Sequence, residues 1–236
     1  MSMLLDIRDL DVAYGEAQAL HAVTLSVAEG EIVAVVGANG AGKTTLLRTV
    51  SGLVRPESGS IRFAGEDIGK LPVHSIVGRG ISHIPEGRGV LATLSVRDNL
   101  RVGCYLTGKA GERRMEQVRE WFPVLFERLA QPAGMLSGGE QQMLAIGRRL
   151  LVHPRLLMID ELSLGLSPKI TAQLMPRLQD IRAGGTSVVL VDQSMHLAMR
   201  IADRLYILAN GRVAWSGPPG DLEGDRQLMD KYLGMD

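Results

Sequence analysis

The first part of the chain alternates apolar and polar residues in two stretches, Leu4–Leu10 and Ala22–Val27. Alternation places the apolar side chains on one face of an extended strand, so both stretches are predicted to be strands of an antiparallel unit. Ser60–Phe63 is a shorter candidate of the same kind. The sequence therefore opens with a small β unit.

Three runs are apolar, apart from the serine that begins the last: Ile32–Val36, Leu156–Ile159 and Ser187–Val191. Continuous apolar runs of this length are typical of strands that are buried on both faces, as in a parallel sheet covered by helices. After them, Arg204–Leu208 and Arg212–Ser216 flank Asn210–Gly211, which predicts a closing β-hairpin. These strands predict an α/β core.

The middle of the chain, from about 88 to 151, is rich in helix formers and has no convincing strand, so we expect a helical insertion there. Within it, apolar residues at helical spacing predict one helix over Glu112–Leu129. Further on, Ser167 and Pro168 suit a helix start and Gly184 its end, and Pro176 should kink or shorten that helix. Residues 225–236 are expected to form a short helix at most.

Composition narrows the class of protein. The 236 residues suffice for one large domain, and 26 basic residues balance 26 acidic ones, which does not favour nucleic-acid binding. The single cysteine, Cys104, permits no internal disulfide and is expected to be a buried, inert thiol on a helix. No apolar run approaches the ~20 residues that cross a bilayer, and the first residues do not resemble a secretion signal.

The turn after Ile32–Val36 carries the first chemical signal. It matches the pattern G-x-x-x-x-G-K-[ST], with the residues Gly37, Ala38, Asn39, Gly40, Ala41, Gly42, Lys43 and Thr44. The glycines let successive backbone N–H groups point at a phosphate, and the helix predicted from Gly42 to Val50 presents its positive end to the same anion. Lys43 can then reach the β- and γ-phosphates, and the Thr44 hydroxyl can bind Mg²⁺.

A pair of carboxylates, Asp160 and Glu161, ends the second buried strand. Two adjacent carboxylates repel each other unless a cation offsets their charge. Beside a phosphate-binding turn, Asp160 is predicted to hold Mg²⁺, and Glu161 to act as the general base on the attacking water.

The stretch Leu136-Ser137-Gly138-Gly139-Glu140-Gln141-Gln142 precedes a helix that is predicted to run to about Leu151. Ser137 and Glu140 form a capping box. Two glycines in a first turn weaken a helix, but they leave its N–H groups accessible to a second anion. One chain with two phosphate sites suggests that the second site serves a partner's nucleotide.

The segment LSGGEQQ lies between the phosphate-binding turn and the carboxylate pair. In this arrangement the sequence resembles the ABC ATPases, and the resemblance covers essentially the whole chain. It implies a single domain over residues 1–236 with the α/β fold of P-loop NTPases: a RecA-like core, an antiparallel β subdomain and an inserted helical subdomain. It also implies a head-to-tail pair of ATPase subunits, alike or different. ATP and Mg²⁺ would lie between the phosphate loop of one subunit and Ser137, Gly138 and Gly139 of the other.

The resemblance assigns further residues singly. Thr45 belongs to the nucleotide site. Tyr14 lies where an aromatic ring stacks on adenine, although a hairpin tyrosine is the alternative. Glu86 stands where the family usually has a glutamine that contacts Mg²⁺ and water, and Gln193 stands where most members have a histidine that senses the γ-phosphate; both are assigned to the catalytic set, and Glu86 also to the metal.

Other positions also depart from the family pattern. Leu162 stands where proline is common and Gly165 where an aspartate is frequent. Since a glutamine cannot carry a proton's charge as a histidine does, Gln193 predicts slow hydrolysis in the isolated chain. His196 comes three residues too late to replace it and is expected to be an exposed helical histidine.

The chain resembles in particular the smaller ATPase subunit of bacterial branched-chain amino-acid importers, in which Glu86 and Gln193 are usual residues. The stretches that carry this resemblance are Gly37–Leu47, Ile84–Arg88, Leu136–Arg148 and Ser163–Leu166. This resemblance implies two integral-membrane permease subunits, an indirect extracytoplasmic solute-binding protein and a peripheral place on the cytoplasmic face of the plasma membrane. The urea and short-amide importers have a very similar ATPase, and this alternative stays open.

The stretch from Gly87 to Leu100 is where the family docks a permease helix. Val90, Leu91 and Leu94 offer apolar contacts there, with subdomain core as the equal alternative. Two rival classes are a small-molecule kinase, which has no use for LSGGEQQ, and a non-transport ABC ATPase, which needs coiled coils, tandem domains or basic faces that the sequence lacks.

Overall fold

A computed structural model describes residues 2–105 and 107–223 and shows an α/β fold. The predicted short helix at 225–236 lies outside the described residues. The strands are β1 Met3–Tyr14, β2 Ala17–Ala28, β3 Ile32–Val36, β4 Ser58–Phe63, β5 Glu66–Asp67, β6 Ile81–Ile84, β7 Leu156–Asp160, β8 Ser187–Asp192, β9 Arg204–Ala209 and β10 Arg212–Gly217. The helices are α1 Lys43–Val50, α2 Val73–Gly78, α3 Val96–Cys104, α4 Lys109–Trp121, α5 Pro123–Glu127, α6 Gly138–Leu150, α7 Pro168–Ala183, α8 Met195–Ile201 and α9 Pro219–Glu223.

The strands form two sheets. The smaller has the order β2-β1-β4-β5 and is antiparallel, as the alternating patterns predict. The larger has the order β10-β9-β3-β8-β7-β6, in which β9, β3, β8, β7 and β6 run parallel. The predicted hairpin of β9 and β10 closes the large sheet at one edge.

The apolar strands are buried on both faces because clusters of buried apolar side chains cover both faces of the large sheet. Val33 and Val35 of β3 pack with the small sheet and α1. Ile159 of β7 and Leu190 of β8 pack on the other face with α3 to α7. Alternate side chains of each strand therefore serve different cores, which explains why no polar position interrupts these runs.

The predicted helical stretch between 88 and 151 contains α3 to α6, but one helix expectation there is wrong. Instead of a single helix over Glu112–Leu129, α4 ends at Trp121 and α5 begins at Pro123. Phe122, between them, has φ −134° and ψ 63°, because a residue before proline is excluded from the helical region. Leu129 lies beyond both helices.

Pro176 does not shorten its helix: α7 continues through it from Pro168 to Ala183, with Ser167 as the predicted N-cap. Cys104 is buried at the end of α3, and burial raises the pKa of its thiol, in keeping with an inert side chain. None of the described helices is both long enough and apolar enough to span a bilayer.

Candidate nucleotide-binding site

The candidate site lies at the carboxyl ends of the parallel strands. The phosphate loop, Gly37–Thr44, follows β3; Asp160 ends β7; Gln193 follows β8; and Glu86 follows β6. These four strands are neighbours in the order β3-β8-β7-β6, so their ends meet at one edge. This edge is where open α/β sheets bind ligands.

The phosphate loop curls around the ammonium group of Lys43. The Lys43 Nζ donates to the carbonyls of Gly37 and Ala38, at 2.8 and 3.0 Å, and the side chain is almost fully buried. Burial lowers the pKa of Lys43, while Glu161 and Asp160 act in the opposite direction. The loop thus holds a desolvated donor at its centre, where it can stabilise phosphate oxygens.

Gly42 is required at the start of α1 by its conformation and by its neighbours. Its φ of 104° disfavours any side chain, and a Cβ there would lie 2.6 Å from Leu20 Cδ2 and 2.8 Å from the Ala19 carbonyl oxygen. The β2 strand therefore approaches the phosphate loop closely, which fixes the first N–H groups of α1 towards the site.

Asp160 is a buried carboxylate without a partner. It is 2% exposed, and neither of its oxygens accepts a hydrogen bond from any residue that the structure describes. Burial raises the pKa of Asp160, Glu161 and Glu86 add to this, and the nearby Thr44 hydroxyl and Lys43 oppose it. An orphaned buried carboxylate facing a hydroxyl and an ammonium group fits one ligand of a divalent cation.

Within residues 2–105 and 107–223, no three or more His, Cys, Asp or Glu side chains are grouped to hold a metal by themselves.

Glu161 stands at the end of β7 in a strained conformation. Its φ is 54°, which is uncommon for a residue with a side chain, and its N–H donates to the Val191 carbonyl at 2.8 Å. The Gln193 amide donates to the Glu161 carboxylate at 3.1 Å and to Asn39 Oδ1 at 2.7 Å. Backbone strain of this kind clusters at functional sites.

The side chains of Lys43, Glu161 and Gln193 line one cavity of about 400 Å³, whereas the buried Asp160 is not among its lining residues. Its lining brings together most of the predicted set: Asn39, Gly40, Gly42, Lys43, Thr44, Thr45, Glu86, Glu161 and Gln193. Gly37 and Ala41 line the other face of the same loop. Tyr14 is 47% exposed at the end of β1 and is not among the lining residues, so its stacking on adenine stays a prediction.

Ser137, Gly138 and Gly139 also lie outside this cavity, at the start of α6. The capping box is confirmed: Ser137 Oγ accepts from the Glu140 N–H, and the Glu140 carboxylate accepts from the Ser137 N–H at 2.8 Å. An anion at this helix end would therefore be a second one, separate from an anion in the phosphate loop.

Some residues near the site were not predicted. Leu164 lines the cavity and Asp192 accepts from the N–H and the hydroxyl of Ser163, which fixes the loop after Glu161. Arg88 donates to the Leu164 carbonyl. In the sequence, only the closeness of Asp192 to Gln193, and of Arg88 to Glu86, indicated a place near the site.

A larger groove of about 1000 Å³ lies apart from the phosphate loop. We call it the apolar groove, since its lining includes five exposed apolar side chains: Leu53, Val73, Leu91, Val102 and Tyr105. Tyr105 is 87% exposed. His83 and Arg149 also line this groove. Of the predicted docking residues, Leu91 lies in the groove, Leu94 is exposed outside its lining, and Val90 packs against the core.

Comparison with known proteins agrees with this geometry. The family model described as "ABC transporter" matches residues 20–163, which include the phosphate loop, LSGG and the acidic pair. The chain is 45% identical over 232 residues to the "High-affinity branched-chain amino acid transport ATP-binding protein BraG" of Pseudomonas aeruginosa, covering 98% of this chain and all of that one.

Two further matches are similar in extent. The chain is 36% identical to the "Probable branched-chain amino acid transport ATP-binding protein LivF" of Archaeoglobus fulgidus, over 96% of this chain and 97% of the other. A solved structure titled "Structure of ATP binding subunit of ABC transporter" superposes with a TM-score of 0.83 at 31% identity, covering 98% of this chain and 96% of that one.

Proposed function

Since this chain belongs to the ABC transporter family of ATPases, we propose that it drives the import of branched-chain amino acids through a separate membrane permease. The chain is an ATPase. The observation that carries the choice of solute is the 45% identity to the Pseudomonas aeruginosa protein over nearly the whole length of both chains. The solute itself would not touch this chain.

The site residues divide the chemistry among them. Lys43 and the N–H groups of the phosphate loop bind the triphosphate, and the desolvated ammonium group stabilises charge on the transferred phosphoryl group. Glu161 takes a proton from the attacking water. As it does so, the water oxygen bonds to the γ-phosphorus, and the bond between the γ-phosphorus and the bridging oxygen of ADP breaks. Gln193 orients the Glu161 carboxylate through its amide.

Mg²⁺ fits this site through Asp160 and the Thr44 hydroxyl, with Glu86 on the same cavity. When bound, the ion would neutralise charge on the phosphate oxygens. The Asp160 carboxylate would then have the partner that it lacks among the described residues.

The second anion site at α6 supports a dimer. Because Ser137 and the first N–H groups of α6 lie outside the cavity of their own chain, they are free to close on the nucleotide of a second ATPase subunit, alike or different. ATP would then be shared by the two subunits, and its hydrolysis would let them separate.

The apolar groove supports permease docking. Five of the ten large apolar side chains that are exposed in the described part of the chain line this one feature. Grouped exposure of this kind marks an interaction surface rather than scattered surface residues. Two permease subunits seated on the two grooves would place the ATPase pair at the cytoplasmic face of the plasma membrane, and a solute-binding protein would act from the other side.

Reconstitution tests this function. Liposomes that contain the permease subunits, this chain and the loaded solute-binding protein should take up labelled leucine only with internal ATP, and Glu161→Gln should abolish uptake while the complex still assembles. Uptake of labelled urea with no uptake of leucine would overturn the proposed solute. Assembly without ATP-dependent uptake of either solute would overturn the importer assignment.

A further inference from the structure

Arg88 occupies a turn whose backbone disfavours it. Gly87, Arg88 and Gly89 have φ values of 81°, 68° and 59°, so an arginine is held in the left-handed region between two glycines. The Arg88 N–H donates to the Pro85 carbonyl at 3.1 Å. Since glycine would fit this conformation better, the arginine side chain is the feature to explain.

The guanidinium group joins two segments that are distant in sequence. Its Nη2 donates to the Leu164 carbonyl at 3.1 Å, and its Nη1 reaches Gln141 Oε1 at 3.4 Å. Gln141 in turn donates to the Leu136 carbonyl at 3.1 Å. Arg88 therefore ties the loop after Glu161 to the LSGG segment, Leu136–Gly139.

The position is electrostatically unfavourable in a single subunit. A Cβ on Gly138 would lie 3.1 Å from Arg88 Nη2, so the cation lies against the first turn of α6, whose end is itself positive. Among the described residues, no Asp or Glu carboxylate forms a salt bridge with Arg88. A cation beside the positive end of α6 becomes favourable when an anion binds at that helix end.

The loop on the other side of Arg88 is tied to the catalytic groups. Leu164 follows Glu161 by three residues, and Ser163 between them donates to Asp192 through its N–H and its hydroxyl. Gln193, the next residue, reaches Glu161 and Asn39 of the phosphate loop. These hydrogen bonds, joined by the peptide links Asp192–Gln193 and Ser163–Leu164, thus connect the phosphate loop to the LSGG segment of the same subunit.

We infer that Arg88 is a positioning residue that makes the LSGG segment follow the nucleotide state of its own subunit, so that ATP in one site presents LSGG to the other. The inference rests on the proposed ATP-dependent dimer. This role of Arg88 would couple the two sites, because the LSGG segment that Arg88 holds contacts the nucleotide of the partner subunit and not the nucleotide of the subunit that contains Arg88.

Mixed dimers of two differently tagged full-length chains test this assignment. Glu161→Gln in the first chain, which keeps nucleotide binding, leaves a single hydrolysing site, made of the phosphate loop of the second chain and the LSGG segment of the first. For the ATP in that site, the second chain is the nucleotide-holding chain and the first is the LSGG-donating chain. Arg88→Asn is then placed in either chain; asparagine tolerates the left-handed region but is too short to reach Leu164 or Gln141. Arg97→Asn, on the exposed side of α3, is the matched control.

We expect about a tenfold lower ATP turnover with Arg88→Asn in the LSGG-donating chain, and less than about a twofold change with it in the nucleotide-holding chain. Arg88→Lys in the LSGG-donating chain should rescue little, because one ammonium group cannot bridge two fixed acceptors as a planar guanidinium does. The unfolding temperature, measured alongside, should match that of the control.

Equal losses in both placements, or a loss only in the nucleotide-holding chain, would overturn the assignment, as would full rescue by lysine. If the wild-type chain does not dimerise with ATP, the proposed function and this inference fall together. If it dimerises and Arg88→Asn has no effect in the LSGG-donating chain, only the inference falls.

Discussion

The side-chain amide of Gln193 donates to Glu161 at 3.1 Å and to Asn39 at 2.7 Å. One amide thus joins the phosphate loop to the carboxylate that we assign as the general base. Gln193 follows β8, which lies between β3 and β7 in the sheet, so it is placed to reach the ends of both neighbours. Through this contact a glutamine can orient the carboxylate without itself accepting a proton.

Removing this amide should slow the reaction without weakening binding. Gln193→Ala frees the Glu161 carboxylate to rotate, and we expect turnover to fall about 10- to 100-fold with ATP affinity changed less than about threefold. Steady-state hydrolysis and nucleotide titration check this, with Gln173→Ala on the exposed side of α7 as control. An unchanged turnover number would show that Gln193 does not position the base.

Glu161→Gln should remove proton acceptance and keep the shape of the site. We expect hydrolysis to fall about 10²- to 10⁴-fold, because this range is typical of the loss of a general base. Nucleotide binding should persist, and ATP should hold the subunits together, since it is no longer consumed. Size-exclusion chromatography with and without ATP measures this. A variant that still hydrolyses ATP at the wild-type rate would require another base.

The chemistry of the site could be predicted from sequence more fully than the details of its support. The phosphate loop, Asp160 and Glu161 stand beside continuous apolar runs, and such runs place them at one edge of a parallel sheet. The strand β6, which precedes Glu86, was not predicted, because its four residues include Ser82 and His83 and lack a clear pattern.

Contacts between residues that are far apart in the sequence could not be predicted from local sequence patterns. The small size of Gly139 was explained by anion access, but the structure adds a packing reason, since a Cβ there would lie 2.4 Å from Ile170 Cγ2 of α7. Arg88 and Leu164 are 76 residues apart, and nothing in either neighbourhood indicates their contact. Pro176 was expected to kink or shorten α7. The helix is not shortened, because proline removes only one N–H donor locally and the buried side chains of Leu174 and Leu178 keep the helix packed.

The apolar groove supplies a matched pair of substitutions. Leu91 and Leu94 are 40% and 38% exposed, but only Leu91 lines the groove. Leu91→Asp should uncouple transport by putting a charge into the docking surface, while ATP binding stays within about twofold of wild type because the groove lies apart from the phosphate loop. Leu94→Asp should leave transport largely intact. Loss of nucleotide binding in Leu91→Asp, or equal transport losses in both variants, would contradict docking at this groove.

The acid stability of the chain should depend on His83, which lies beside the same groove. Burial, together with the positive charges of Arg149 and Arg48, lowers the pKa of His83 from 6.5 to about 4. The unfolded chain therefore binds a proton between pH 6.5 and 4 that the folded chain excludes. The contribution of His83 to stability is thus constant above pH 6.5 and is lost as the pH drops through this window.

The Ser51 hydroxyl donates to the Leu47 carbonyl and accepts from His83 Nδ1, while His83 Nε2 has no partner among the described residues, so the fold holds the ring neutral. From pH 7.5 to pH 5, His83 alone should lower the free energy of unfolding by about 2 kcal/mol. Urea unfolding of His83→Gln should show a drop that is smaller by about this amount, because glutamine does not titrate. The exposed His74→Gln should keep the full wild-type drop, and identical drops in both variants would mean that His83 titrates normally in the folded chain.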